Sequence, residues 1–145
     1  MKAYLTRRYM FSASHRLHSD AMSDAENAAT YGKCNNPFGH GHNYTLEVTV
    51  SGPVDAATGM VCNLTDLDDF VNVEILERFD HQNLNTLGEF ATAVPTTENL
   101  CTEIYKLLRD PLERAGGPGR FLARVRLEET SLNSFEYVAE RTVSS

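Results

Sequence analysis

No stretch of this 145-residue chain approaches the run of about eighteen apolar residues that a membrane span requires, so no membrane role is expected. The opening residues, MKAYLTRRYMFSASH, lack the unbroken apolar block of a secretory signal; two arginines interrupt an alternating pattern. Cysteine is scarce, with three widely spaced copies at positions 34, 62 and 101, an odd number that does not make a disulfide framework. These absences point to the reducing cytoplasm. Basic residues are also few: 13 Lys and Arg against 20 Asp and Glu give a net charge of −7 and a pI near 5.1. Nucleic acid is therefore a poor partner, because phosphate contacts need clustered cations. A locally basic pocket for a phosphorylated small molecule is still compatible with an acidic chain. Repeats and low-complexity tracts are absent.

What is present fits one ordinary domain spanning residues 1–145, with 41% hydrophobic and 23% charged residues. The chain is long enough to bury a core without staples. Residues 2–14 predict a first strand. Residues 19–37, rich in Ser, Asp, Asn, Ala, Gly and Pro, predict a long loop with at most a helical turn. Residues 40–51 give the clearest strand, with Tyr44, Leu46, Val48 and Val50 on one face and Thr45, Glu47 and Thr49 on the other. Gly52-Pro53 stops it, and Thr58-Gly59 marks a turn before a short extended continuation at 60–63. A helix is expected over 66–79, with Thr65 or Asp66 as N-cap and Leu67, Phe70, Val71, Ile75 and Phe79 as its apolar stripe. A second helix should run from about 97 to 109, capped by Thr96 or Thr97, with Leu100, Ile104, Leu107 and Leu108 inward and Pro111 weakening or ending it. Strands at 121–129 and 134–139 complete the pattern. In the first of these, Phe121, Ala123, Val125 and Leu127 are read as the inward face. Two helices between hairpin-like strands imply an α+β fold, an antiparallel sheet with the helices on one face.

The chemistry gathers around histidine. His40 and His42 stand two apart at the entry to the best strand, so alternation throws both imidazoles to one side, the face shared with Leu46 and Val48. Unpaired imidazoles there would be costly, whereas a metal explains them. His15, at the end of the first strand, can lean across as a third ligand. Three histidines make a recognised catalytic zinc set with an open fourth position. Against this, a lone His-x-His is a weak signal and solvated strand-end histidines are common; three imidazoles also accept nickel or iron. Cys34 lies six positions before His40, among residues that do not look like core, and a thiol near a metal is a candidate base or nucleophile. Cys62 and Cys101 read as small buried apolar residues. Asp80-His81 is a candidate proton-handling pair, on a dipeptide that chance also supplies. Glu129 continues the inward face of its strand by parity, where a carboxylate needs a partner such as an amidine; if the strand ends at Leu127, it is simply solvated. Glu98 has a ready alternative as a first-turn acid.

Taken in order, these segments resemble the 6-pyruvoyl-tetrahydropterin synthase family. The segments are Phe11–Leu17 (FSASHRL), Gly32–Tyr44 (GKCNNPFGHGHNY), Asn63-Leu64-Thr65-Asp66-Leu67, Asp80-His81-Gln82-Asn83-Leu84, Thr96-Thr97-Glu98-Asn99 and Glu129-Thr130. The likeness spans roughly residues 4–138. It implies a T-fold: a four-stranded antiparallel sheet with two helices on one face, closed into a barrel by trimer formation, with two trimers stacking as a homohexamer. It implies a lyase acting on 7,8-dihydroneopterin triphosphate, with Zn2+ on His15, His40 and His42 as Lewis acid. Cys34 would then be the base, assisted by Asp80 and His81 from a neighbouring subunit. Glu129 would hold the pterin's amidine-like edge, helped by Glu98, Thr97 and Thr96. Arg16 and Lys33 lie near enough in sequence to meet the triphosphate. No nicotinamide or flavin is needed, and no glycine-rich dinucleotide fingerprint occurs. The Cys34-to-His40 spacing resembles the pyruvoyl-forming branch rather than the queuosine-pathway 6-carboxytetrahydropterin synthases. Phe38 and Ser131-Leu132 depart from the usual pattern. A cupin-like or non-catalytic metal-binding module is the alternative from another class.

Overall fold

The computed structural model describes residues 2–140; the ends of the expected 1–145 domain lie outside the described residues. Five strands form one sheet: β1 (Ala3–His15), β2 (His40–Gly52), β3 (Gln82–Asn83), β4 (Phe121–Thr130) and β5 (Asn133–Val138), in the order β3-β1-β2-β4-β5. β1, β2, β4 and β5 are antiparallel neighbours, and the sheet exceeds the expected four strands by the two-residue β3, which pairs parallel to β1. The helices are α1 (Asp24–Tyr31), α2 (Leu64–Val71), α3 (Glu77–Phe79) and α4 (Thr97–Gly116), with a π-helical segment, Asn72–Leu76, joining α2 to α3. The α+β class follows, and a single sheet backed by a 20-residue helix excludes the cupin alternative, which needs a double-sheet jelly roll.

Amphipathic periodicity builds the core. Leu67, Val71, Ile75 and Phe79 from α2–α3, and Leu100, Ile104 and Leu108 from α4, pack on Phe11, Leu46, Val48, Val50, Leu122, Val125 and Leu127 of the sheet. The α2–α3 stripe repeats every four residues, which drifts about 40° per step on a regular helix. The wider π segment takes up that drift and keeps all four side chains on the sheet. Phe70 and Leu107, expected inward, are only partly buried at the edges of the stripes.

Several local expectations are corrected. Asn63, not Thr65 or Asp66, caps α2, its side chain accepting from the amides of Thr65 and Asp66. The stretch 19–37 holds a full helix: Ser23 and Glu26 form a reciprocal capping box that starts α1. Buried Asn27 ties α1 to the carbonyls of Ser19, Met22 and Ser23. Residues 60–63 do not extend a strand; they close a turn through Gly59 N–H to Asp55 C=O and Asp55 N–H to Met60 C=O. Pro111 does not end α4. Its ring and missing N–H cost about 3 kcal/mol in an isolated helix, but Leu108 and Leu112 on either side are buried, each worth roughly 1.5–3 kcal/mol.

In β4, Leu122 is wholly buried whereas Phe121 and Ala123 are not. The cause is a bulge: Val50 pairs with Leu122 but Thr49 pairs with Arg124, leaving Ala123 as the extra residue. Parity is restored beyond it, so Val125, Leu127 and Glu129 share the inner face. On the outer face, Glu47, Thr49 and Ser51 are also buried, because central-strand neighbours cover them. Arg8 and Arg126 straddle Glu47 at 3.2 and 2.7 Å, and the Thr6 and Thr49 hydroxyls meet at 2.8 Å.

Candidate metal centre

The site grows from the register of β1 against β2. His15 pairs directly with His40, and Ala13 with His42, so alternation leaves all three imidazoles on the helix-facing side at one end of the sheet. Each pair of rings is edge-to-face with centroids 4.6–5.1 Å apart. From β4, Glu129 reaches the same point: one nitrogen of each histidine and a carboxylate oxygen of Glu129 lie within 4.8 Å of one another. Gly39 permits the approach of the two strands. Its φ of +72° is unfavourable for other residues, and a Cβ there would stand 3.0 Å from the His15 carbonyl oxygen.

The donor set fits a cation. Buried His15 places Nδ1 2.8 Å from the Pro95 carbonyl oxygen, which only accepts, so Nδ1 carries the proton and Nε2 presents a lone pair. That Nε2 lies 3.0 Å from His40 Nε2. Nitrogens held about 2.0–2.1 Å from one tetrahedral ion stand roughly 3.3–3.4 Å apart, close to this separation. His42 Nε2 is buried without a hydrogen-bond partner; Glu129 Oε1 is 2.9 Å away but off the line a hydrogen bond requires. Burial lowers the pKa of both His15 and His42, favouring the neutral, metal-binding form. An ion among these atoms would give the buried, unpartnered His42 Nε2 a partner. The four side chains can therefore hold a metal.

The surrounding shell is equally specific. Glu129 Oε2 accepts from Thr97 Oγ1 at 2.5 Å and from Asn133 Nδ2 at 3.4 Å. Thr97 opens α4, whereas Thr96 spends its side chain capping that helix by accepting from Asn99 N–H. Glu98 is exposed in the first turn, the place its alternative reading gave it. Tyr44, two residues beyond His42, stacks on Phe11 and turns its edge to His42; sequence parity placed it on this face but read it only as core. Pro95, whose carbonyl sets the His15 tautomer, carries no signal in the sequence.

Cys34 is half-buried in a 3-10 turn, Gly32–Asn35, which is tied to the residues just after His15. Leu17 N–H donates to the Cys34 carbonyl at 2.9 Å, Arg16 Nε to the Asn35 carbonyl at 3.0 Å, and Asn35 Nδ2 to the Leu17 carbonyl at 2.7 Å. Lys33 in the same turn is exposed. Cys101, by contrast, is core, its thiol pushed up to about 11 by burial, and burial also raises Cys62. Asp80 and His81 form a pair at the β1 edge rather than within the histidine cluster. His81 Nδ1 lies 3.0 Å from Asp80 Oδ1, which also accepts from Ser12 N–H at 2.9 Å. The Ser12 N–H, foremost, holds the Asp80 carboxyl below the usual carboxylate range. His81 has a φ of +60° and an exposed ring, and lines an open cavity with Gln82, Asn83 and His42.

Known proteins are similar to this chain. A Drosophila melanogaster protein named 6-pyruvoyl tetrahydrobiopterin synthase is 48% identical over 136 residues, covering 93% of this chain and 79% of that protein. A Homo sapiens protein of the same name is 46% identical over 140 residues, covering 96% and 93%. The solved structure of Caenorhabditis elegans 6-pyruvoyl tetrahydropterin synthase superposes with a TM-score of 0.84 at 38% identity over 97% of both chains. Residues 4–140 match the 6-pyruvoyl tetrahydropterin synthase family profile, and the chain belongs to that family.

Proposed function

We propose that this protein is a zinc-dependent lyase that converts 7,8-dihydroneopterin triphosphate to 6-pyruvoyl-5,6,7,8-tetrahydropterin with elimination of triphosphate. The observation that carries the reading is the convergence of His15, His40, His42 and Glu129 on one point, in a chain 46–48% identical to proteins named 6-pyruvoyl tetrahydrobiopterin synthase. Zn2+ on the three imidazoles would act as a Lewis acid toward the side-chain oxygens of the substrate. Glu129, oriented by Thr97, accepts hydrogen bonds from the amidine-like edge of the pterin, with Thr96 and Glu98 at the adjacent helix start. Cys34 takes a proton from the substrate side chain. Asp80 and His81 move protons as a pair; their place on the β1 edge suits a site completed by a neighbouring subunit in a trimer or dimer of trimers. Arg16 and Lys33, on the segments bracketing Cys34, are the cations nearest in sequence for the triphosphate. The redox change is internal to the substrate, and the reading places the enzyme in the cytoplasm.

Incubation of the zinc-loaded protein with dihydroneopterin triphosphate, followed by mass analysis, tests this. A pyruvoyl pterin with little acetaldehyde is the expected product. Dominant acetaldehyde would move the chain to the 6-carboxytetrahydropterin branch, and no turnover with zinc bound would leave only a binding role.

A further inference from the structure

A cavity of about 440 Å³ adjoins the metal centre across His15. Pro95 joins the two: its carbonyl oxygen lies 2.8 Å from His15 Nδ1, and the same residue lines the cavity. Arg16, directly after His15, also lines it. Asn85 clamps the Arg16 backbone, accepting from its N–H at 2.7 Å and donating to its carbonyl at 2.9 Å. Arg16 Nε donates to the Asn35 carbonyl at 3.0 Å, but the two terminal nitrogens make no hydrogen bond or ion pair with any described residue. A half-buried guanidinium, fixed at its backbone and at Nε with its outer N–H groups open, is arranged to receive an anion. His18 stands in the same lining, with Nδ1 3.1 Å from Asn35 Nδ2. That amide nitrogen only donates, so His18 Nε2 keeps the proton and is a second donor. The one acid of the lining, Asp20, is fully exposed, its carboxylate 3.5 Å from His18 Nε2. The other lining side chains are neutral, and Lys33 is not among them.

We propose that this cavity is a polyphosphate subsite, in which Arg16 grips the triphosphate tail of the substrate and His18 donates a further hydrogen bond. This rests on the reading of the metal centre as a pterin triphosphate site, and it chooses Arg16 over Lys33 as the cation for the tail. In a chain of net charge −7, a polyanion needs a local cation of this kind. A phosphate oxygen on His18 Nε2 takes the place beside which Asp20 now stands.

Isothermal titration of the zinc-loaded protein with inorganic triphosphate tests this, with zinc content checked after each titration because triphosphate chelates metals. Wild type should bind triphosphate at least about tenfold more tightly than inorganic phosphate. Arg16→Gln should weaken triphosphate binding about tenfold, while neopterin affinity (read by fluorescence) stays within about twofold. Because Arg16 Nε also ties down the Cys34 turn, Thr92→Asp is the second variant. Thr92 is an exposed lining residue with no hydrogen bond to another described side chain, so a carboxylate there repels the tail and leaves that turn alone. It should cost about tenfold in triphosphate affinity at unchanged Tm, and Lys33→Ala should stay within about twofold. Wild-type triphosphate affinity in both Arg16→Gln and Thr92→Asp overturns the inference. So does an equal loss in Lys33→Ala, which would mark a diffuse field rather than a cavity. Neopterin binding combined with a triphosphate affinity indifferent to Arg16 and Thr92 overturns this inference alone. Triphosphate binding through Arg16 with no neopterin binding overturns the pterin reading and leaves the polyphosphate subsite standing.

Discussion

Gly39→Ala separates backbone strain from damage to the metal centre. A Cβ at Gly39 meets the His15 carbonyl oxygen at 3.0 Å and its carbon at 3.4 Å, with φ at +72°. The left-handed conformation alone costs a non-glycine residue roughly 1–2 kcal/mol. The contact is with backbone, which cannot swing aside, so the His15 peptide must shift by a few tenths of an ångström. That peptide carries His15, the candidate ligand opposite His40. Two other glycines serve as controls: Gly59 has the same φ of +72° but open space around its Cβ, and Gly88 has neither a positive φ nor a close neighbour. Gly59→Ala should therefore lose roughly 2–8 °C in Tm, at about 2–4 °C per kcal/mol for a chain near this size, with zinc affinity intact. Gly88→Ala should change neither. Gly39→Ala should lose at least as much Tm as Gly59→Ala and, in addition, about tenfold in zinc affinity, equivalent to ~1.4 kcal/mol. Competition against a chromogenic chelator measures the affinity and differential scanning fluorimetry the Tm, with His40→Ala as the limit that binds no zinc. Wild-type zinc affinity in Gly39→Ala would show that the close approach of Gly39 to His15 does not shape the site.

Cys34→Ala should lower turnover by about a hundredfold or more, the scale of a removed general base, while zinc content and neopterin affinity hold; a variant that turns over normally removes Cys34 from the mechanism. The depressed pKa of Asp80 makes a pH prediction. A carboxyl held below its unfolded value of about 3.9 adds stability above that pH and loses it as pH falls through the folded value. Denaturation curves of wild type and Asp80→Asn should converge as the pH is lowered from 5 toward 2, and a gap that stays constant would contradict the sign of the shift.

The parts of the fold visible in the sequence are those set by short-range periodicity. Alternation along β2 put His40, His42, Tyr44 and Leu46 on one face, and the helical stripes marked Leu67, Val71, Ile75 and Phe79 and then Leu100, Ile104 and Leu108. The Ser23–Glu26 capping box was also present as a local signal, within a stretch whose polar composition favours a loop reading. The bulge at Ala123 was not legible, because two residues oppose one only once the partner strand is in register. Nor was the persistence of α4 past Pro111, which depends on burying Leu108 and Leu112 against the sheet.

By itself the sequence determined the residue types of the candidate metal set, the face on which two of the histidines lie, and the ordered motifs that mark the family. Only the tertiary structure decided that His15 stands opposite His40, that Pro95 fixes its tautomer, and that Thr97 holds Glu129 beside the imidazoles. It also left the hydroxyl of Tyr44 buried and unpaired. The reason is range: periodicity operates over a few residues, whereas these contacts join positions 25–80 apart and exist only after strand register and helix docking bring them together.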